Sequence, residues 1–128
     1  MRIFLLIVFG AAGTLARYAL GGVVQFSTGS VFPAGTLVVN LAGCFLLGAI
    51  GQFSLDHLAV PPDWRIGITI GFCGGFTTFS TFGLDTITLL RTGDVTQAFS
   101  NIVIQVVGGL GGVYAGLLLF ERLGPSVR

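Results

Sequence analysis

The sequence predicts an all-α integral membrane protein of four transmembrane helices, the third of them carrying a glycine-rich run at which it can be broken in mid-span. Three observations carry this expectation. The chain of 128 residues is 53% hydrophobic and only 9% charged, with a mean hydropathy of +0.96, so too few polar side chains exist to clothe a water-soluble globule. Four low-charge stretches, residues 3–25, 32–55, 64–91 and 95–122, are each long enough to cross a hydrocarbon core of roughly 30 Å. The connections are short and rich in turn residues: Ser27-Thr28-Gly29-Ser30 before Pro33, Pro61-Pro62-Asp63 before Trp64, and Thr92-Gly93-Asp94. The chain 1–128 is therefore expected to form a single four-helix transmembrane domain.

The first stretch is too long for the apolar region of a signal peptide, contains Arg17, and is followed by no small-residue cleavage site, so it is expected to stay in the mature protein. Arg17 is its costliest group, since a central arginine costs about 2.5–3.5 kcal/mol on insertion scales. Next to Tyr18, its guanidinium has two placements: snorkelling to the interface, or a buried structural or anion-attracting role.

In the second stretch Thr36, Asn40, Gly43, Cys44 and Gly48 share one helical face, and Asn40 lies well inside the span, where an amide requires partners. Cys44 and Cys73 both fall at membrane depth with no His or acid to complete a metal set, which suits packing. His57 beside Asp56 reads as a solvated loop residue and Trp64 as part of an interfacial aromatic belt.

The third stretch carries the run Gly74-Gly75-Phe76-Thr77-Thr78-Phe79-Ser80-Thr81-Phe82-Gly83. A plain anchor would use Leu, Ile and Val, whereas here glycines loosen the backbone and hydroxyls alternate with rings. Phe72, Phe76, Phe79 and Phe82 make an aromatic stripe, with Thr77, Thr78, Ser80 and Thr81 on the alternate face. Packing and hydroxyl back-bonding explain part of the pattern. A break near Gly74-Gly75 would also free carbonyl oxygens for a small hard cation. Ring edges, amides and hydroxyls together suit a small anion. Asp85, in phase with Thr78 and Thr81 near the end of the span, is expected to face away from lipid.

In the fourth stretch Gly108, Gly112 and Gly116 form a bare i, i+4 face that invites close helix contact, and Asn101 and Gln105 continue it. Interhelical glue and a polar pathway are both open to these amides. All six basic residues are arginine, and an even number of spans puts Arg2, Arg65, Arg122 and Arg128 on one side against Arg91, with Arg17, on the other. That bias is a weak vote for termini inside, and so slight an asymmetry permits insertion both ways and an antiparallel pair.

The length, the spans, Ala16-Arg17-Tyr18, the segment Gly35-Thr36-Leu37-Val38-Val39-Asn40-Leu41-Ala42-Gly43 and the run from Gly71 to Phe82 together resemble the Fluc, or CrcB-type, fluoride channels over essentially the whole chain. The resemblance implies an antiparallel, dual-topology homodimer with two fluoride pathways in the inner (plasma) membrane of the cell, passing fluoride passively and conferring fluoride resistance. It implies that Phe79 and Phe82 line the pores with ring edges, that Asn40 is an amide donor, and that Ser80 and Thr81 are the hydroxyls beside them. It further implies a sodium ion at the dimer centre held by the main-chain carbonyls of Gly74 and Thr77, and Arg17 near an aqueous vestibule. Asp85 stands where the family usually has Glu, and Gly83 where Ser is common. The fourth-helix polar track aligns at Asn101, Gln105 and Gly109. The implied partners are fluoride, the lipid bilayer and a second copy of the chain, with no nucleic acid.

The rival reading is a small dual-topology, proton-coupled multidrug or cation exporter. Such a protein requires a membrane-embedded carboxylate, and the candidate here is Asp85, near a span end. A non-transporting assembly subunit is a second rival. An enzyme is disfavoured by the lack of a nucleophile–base pair or metal set within the spans.

Overall fold

The computed structural model describes the backbone of residues 1–56 and 60–123 and the side chains of 1–51 and 60–121, so His57 lies outside the described residues. Within them the chain is helical: α1 (Arg2–Thr28), α2 (Ala34–Asp56), α3 (residues 62–76), α4 (Phe79–Arg91) and α5 (residues 95–123). Four helical stretches are long and apolar enough to cross a membrane, one of them, Pro62–Arg91, being α3 and α4 in succession.

The turns follow from their residues. Gly29 ends α1 at φ 55°, a left-handed position that suits glycine, with its N–H on Gln25 O. The Gln25 side chain then stitches the connection to α2: Nε2 donates to Ser30 O (2.7 Å) and Phe32 O (3.2 Å), and Oε1 accepts from Gly35 N–H (3.1 Å). Pro62 occupies the first turn of α3, where its missing N–H costs nothing. Gly93, at φ 89°, turns the chain from α4 into α5.

Glycine sets the helix packing. Gly67, Gly71 and Gly75, four residues apart, lay α3 along α1; a Cβ on Gly75 would stand 2.6 Å from Gly10 O. The stripe on α5 likewise meets α2, where a side chain on Gly116 would collide with Phe45 O and lie 2.7 Å from Ala49 N. Such backbone contact substitutes dispersion for the hydrophobic effect, which is weak between helices in lipid. The outward surface, including Phe4, Ile7, Phe26, Leu84 and Leu110, is exposed and apolar as a bilayer requires. Wide i→i+5 turns occur at Gly67–Cys73 in α3 and Ile104–Gly108 in α5.

The third span is interrupted at Thr77 and Thr78, three residues beyond the expected glycine pair. Gly74–Phe76 is still helical, whereas Thr77 (φ −83°, ψ 159°) and Thr78 (φ −151°, ψ 109°) are extended. Gly75 is therefore used for contact with α1 rather than for the bend. The helix restarts because Thr78 caps α4, its Oγ1 accepting the Thr81 N–H at 3.1 Å.

Candidate functional site

The break is clamped from two sides. On one, a side chain on Gly43 of α2 would overlap Thr77 Cγ2; on the other, Arg17 Nη1 of α1 donates to Thr77 O at 3.3 Å. Asn40 supplies the main restraint: Oδ1 accepts the Thr78 N–H (2.8 Å), while Nδ2 donates to both Thr78 O (3.0 Å) and Gln105 Oε1 (3.0 Å). Both Nδ2 hydrogens are thereby used. Gln105, its oxygen held by Asn40, keeps a buried Nε2 with no partner within the described residues.

Two grooves meet at Thr78, which lines both. The larger, about 510 Å³, is bordered by Arg17, Tyr18, Thr36, Thr81 and Asp85. There Thr36 Oγ1 donates to Asp85 Oδ2 at 2.7 Å. Arg17 and Asp85 border the same space without an ion pair between them among the described residues. The smaller, about 310 Å³, is bordered by Asn40, Phe79, Phe82 and Gln105 together with Gly74 and Thr77. Cys44 and Cys73 lie on its wall as free thiols.

The sequence-level aromatic stripe is cut in two by the break. Phe72 and Phe76 stack inside the chain (5.8 Å, 7°), with Phe76 buried. Phe79 and Phe82 form a tilted pair (5.4 Å, 55°) on the smaller groove, Phe79 being 82% exposed. Their rings are thus presented to whatever occupies the groove, with electropositive edges available to an anion.

The remaining candidates separate. Thr81 borders the larger groove, and its hydroxyl lies 2.8 Å from Thr78 Oγ1. Ser80 is exposed, borders neither groove, and touches Thr78 Oγ1 at 3.3 Å. Asn101 is fully buried and also borders neither groove: Nδ2 donates to Thr86 Oγ1 at 2.9 Å, and Thr86 donates on to Phe82 O at 2.8 Å. Asn101 Oδ1 is left buried with no partner among the described residues. Sequence reasoning assigns Thr86 no role, because nothing in a one-helix periodicity reveals a bond between α4 and α5. Thr78 as the hub of the break was foreshadowed only by its place among the hydroxyls.

The Gly74 and Thr77 carbonyls fit a hard cation in their chemistry. The helical donor to Gly74 O is the Thr78 N–H, which is turned to Asn40, and the donor to Thr77 O is the Thr81 N–H, which is turned to Thr78 Oγ1. Both oxygens sit at the C-terminal, negative end of α3. Thr77 O already receives the Arg17 guanidinium, a cationic neighbour at 3.3 Å.

A multi-pass helical membrane protein with a span interrupted at mid-depth, and rings and amide groups gathered along a groove beside the interruption, belongs to the class that handles small ions within the bilayer. More particularly, the chain belongs to the CrcB family, described as CrcB-like protein, Camphor Resistance (CrcB), which matches residues 4–117. It is 46% identical over 114 residues, 89% of this chain and 92% of the relative, to the fluoride-specific ion channel FluC of Geobacter sp. (strain M21). The protein of the same name from Geobacter metallireducens is 44% identical over 123 residues, 96% of this chain and 99% of its own length. That from Geotalea uraniireducens is 45% identical over 116 residues, 91% and 94% of the two chains.

Proposed function

We propose that this chain is a fluoride-selective channel of the cell membrane, releasing cytoplasmic fluoride passively and so conferring fluoride resistance. The carrying observation is the smaller groove, where the Phe79–Phe82 pair and the Gln105 amide line one surface beside a helix break, in a chain whose relatives bear the name fluoride-specific ion channel. Fluoride is small and strongly hydrated. A path that replaces its shell with N–H, O–H and ring-edge contacts favours it over the larger chloride.

In this reading Arg17, near the larger groove, attracts the anion from water, and Thr81 brings a hydroxyl to the same groove, while the Thr36 hydroxyl is spent on the Asp85 carboxylate. Ser80 faces outward beside them. Phe79 and Phe82 then line the narrow section. Asn101 acts indirectly, through Thr86 and the Phe82 carbonyl, as the support of that turn.

The functional unit is an antiparallel, dual-topology homodimer with two pathways. Supporting this, neither groove is enclosed by a single chain, Phe79 is largely exposed, and the arginine asymmetry across the membrane is slight. The Gly74 and Thr77 carbonyls of the two copies would hold a sodium ion at the centre, where it supplies positive charge and ties the two breaks together. A direct test is growth. Cells lacking fluoride export and expressing this chain are expected to grow in fluoride that arrests the parent, and no gain in tolerance from a membrane-inserted chain would refute the reading.

A further inference from the structure

The bond between Asn40 and Thr78 bears on a second site. In an unbroken helix the Thr78 N–H would donate to Gly74 O, four residues back. Here it donates to Asn40 Oδ1 at 2.8 Å, with Thr78 held extended at φ −151° and ψ 109°. The Gly74 carbonyl is thereby spared the donor that a continuous helix would have given it. Gly74 has no neighbouring atom within 4 Å of where a Cβ would stand, so this edge of α3 is open to a ligand or a second chain.

We propose that Asn40 is a positioning residue for the cation: its Oδ1, by holding the Thr78 N–H away from Gly74, keeps the Gly74 carbonyl available to sodium. The inference rests on the sodium reading given above. With Asn40 absent, Thr78 N–H can turn back to Gly74 O, the helix runs on past the break, and a cation loses one of its oxygens. Because coupling is reciprocal, bound sodium also stabilises the Asn40–Thr78 contact. This role belongs to the acceptor end of the amide. The donor end, engaged by Thr78 O and Gln105 Oε1, serves the groove.

Substitution separates the two ends. Asn40→Leu removes both, whereas Asn40→Asp keeps an oxygen for the Thr78 N–H and removes the amide donor. The full-length protein purified in detergent is unfolded thermally across a sodium chloride series, with choline chloride holding the ionic strength. Wild type is expected to gain stability with sodium and saturate. Asn40→Leu is expected to need at least about tenfold more sodium, the range seen when a group that orients a metal ligand is lost. Asn40→Asp is expected to titrate near wild type while its fluoride flux falls. An Asn40→Leu protein with the wild-type sodium midpoint would overturn the proposal and leave the cation reading standing. A wild type indifferent to sodium would overturn both. If Asn40→Leu fails to fold, Asn40→Asp decides, since loss of its sodium response would contradict the role given to Oδ1.

Discussion

Asn40 and Thr78 are joined by two hydrogen bonds that run in opposite directions, Thr78 N–H to Asn40 Oδ1 at 2.8 Å and Asn40 Nδ2 to Thr78 O at 3.0 Å. One side chain of α2 thus takes the Thr78 N–H that a continuous helix would have given to Gly74 O, and adds a donor to the Thr78 carbonyl. Its remaining Nδ2 hydrogen holds Gln105 Oε1, so the break and the α5 amide are set by the same residue.

Replacing Asn40 with the near-isosteric Leu removes both bonds to Thr78 and frees its N–H to turn back to Gly74 O, at a net cost of about 1–3 kcal/mol. Fluoride efflux from liposomes is expected to be lost while the dimer persists on size-exclusion chromatography. Dissociation into single chains would assign Asn40 to helix association instead.

Phe79→Ile and Phe82→Ile keep apolar bulk and remove the polarised ring edge. Each is expected to slow efflux by at least about tenfold, equivalent to about 1.4 kcal/mol on the barrier. Wild-type rates in both variants would remove the rings from the pathway.

The Asn101–Thr86 pair predicts a coupled stability effect. Thr86→Val alone strands the buried Asn101 amide, at a cost of about 1–3 kcal/mol, whereas Asn101→Leu alone leaves the Thr86 hydroxyl its bond to the Phe82 carbonyl. The double substitution is expected to cost less than the sum, as thermal unfolding of the four proteins would show. Strict additivity would mean that the 2.9 Å bond contributes nothing.

Gly74 and Gly75 are adjacent and predicted to respond oppositely in the isolated chain. Gly75→Ala drives a methyl against Gly10 O and is expected to destabilise the fold by about 1–3 kcal/mol. Gly74→Ala meets nothing from another helix within 4 Å among the described residues. Weakened dimerisation of Gly74→Ala with helix content intact would locate the second copy against this residue, and an unaltered dimer would place the interface elsewhere.

Much of this fold was legible because bilayer physics leaves few options: four apolar stretches separated by Gly- and Pro-bearing turns can be little else than helices. The α5 glycine stripe was equally legible, its i, i+4 spacing surviving into contact with α2. The matching stripe Gly67, Gly71, Gly75 has the same spacing and was overshadowed by reading Gly74-Gly75 as a hinge. The break lies at Thr77–Thr78 because its cause, Asn40, is 38 residues away in sequence, beyond any local propensity. The same limit hid Thr86 behind Asn101, and it made Phe72 to Phe82 read as one stripe when the break gives its two halves different surroundings.

The central claim is selective fluoride conduction, and ion release from liposomes holding the purified protein tests it most directly. Vesicles loaded with fluoride or with chloride are diluted into a solution free of both halides, potassium permeability is supplied by an ionophore, and each anion is followed with its own electrode. The account predicts rapid fluoride release and chloride release no faster than from empty vesicles. Equal release of both anions, or none of fluoride, would contradict it.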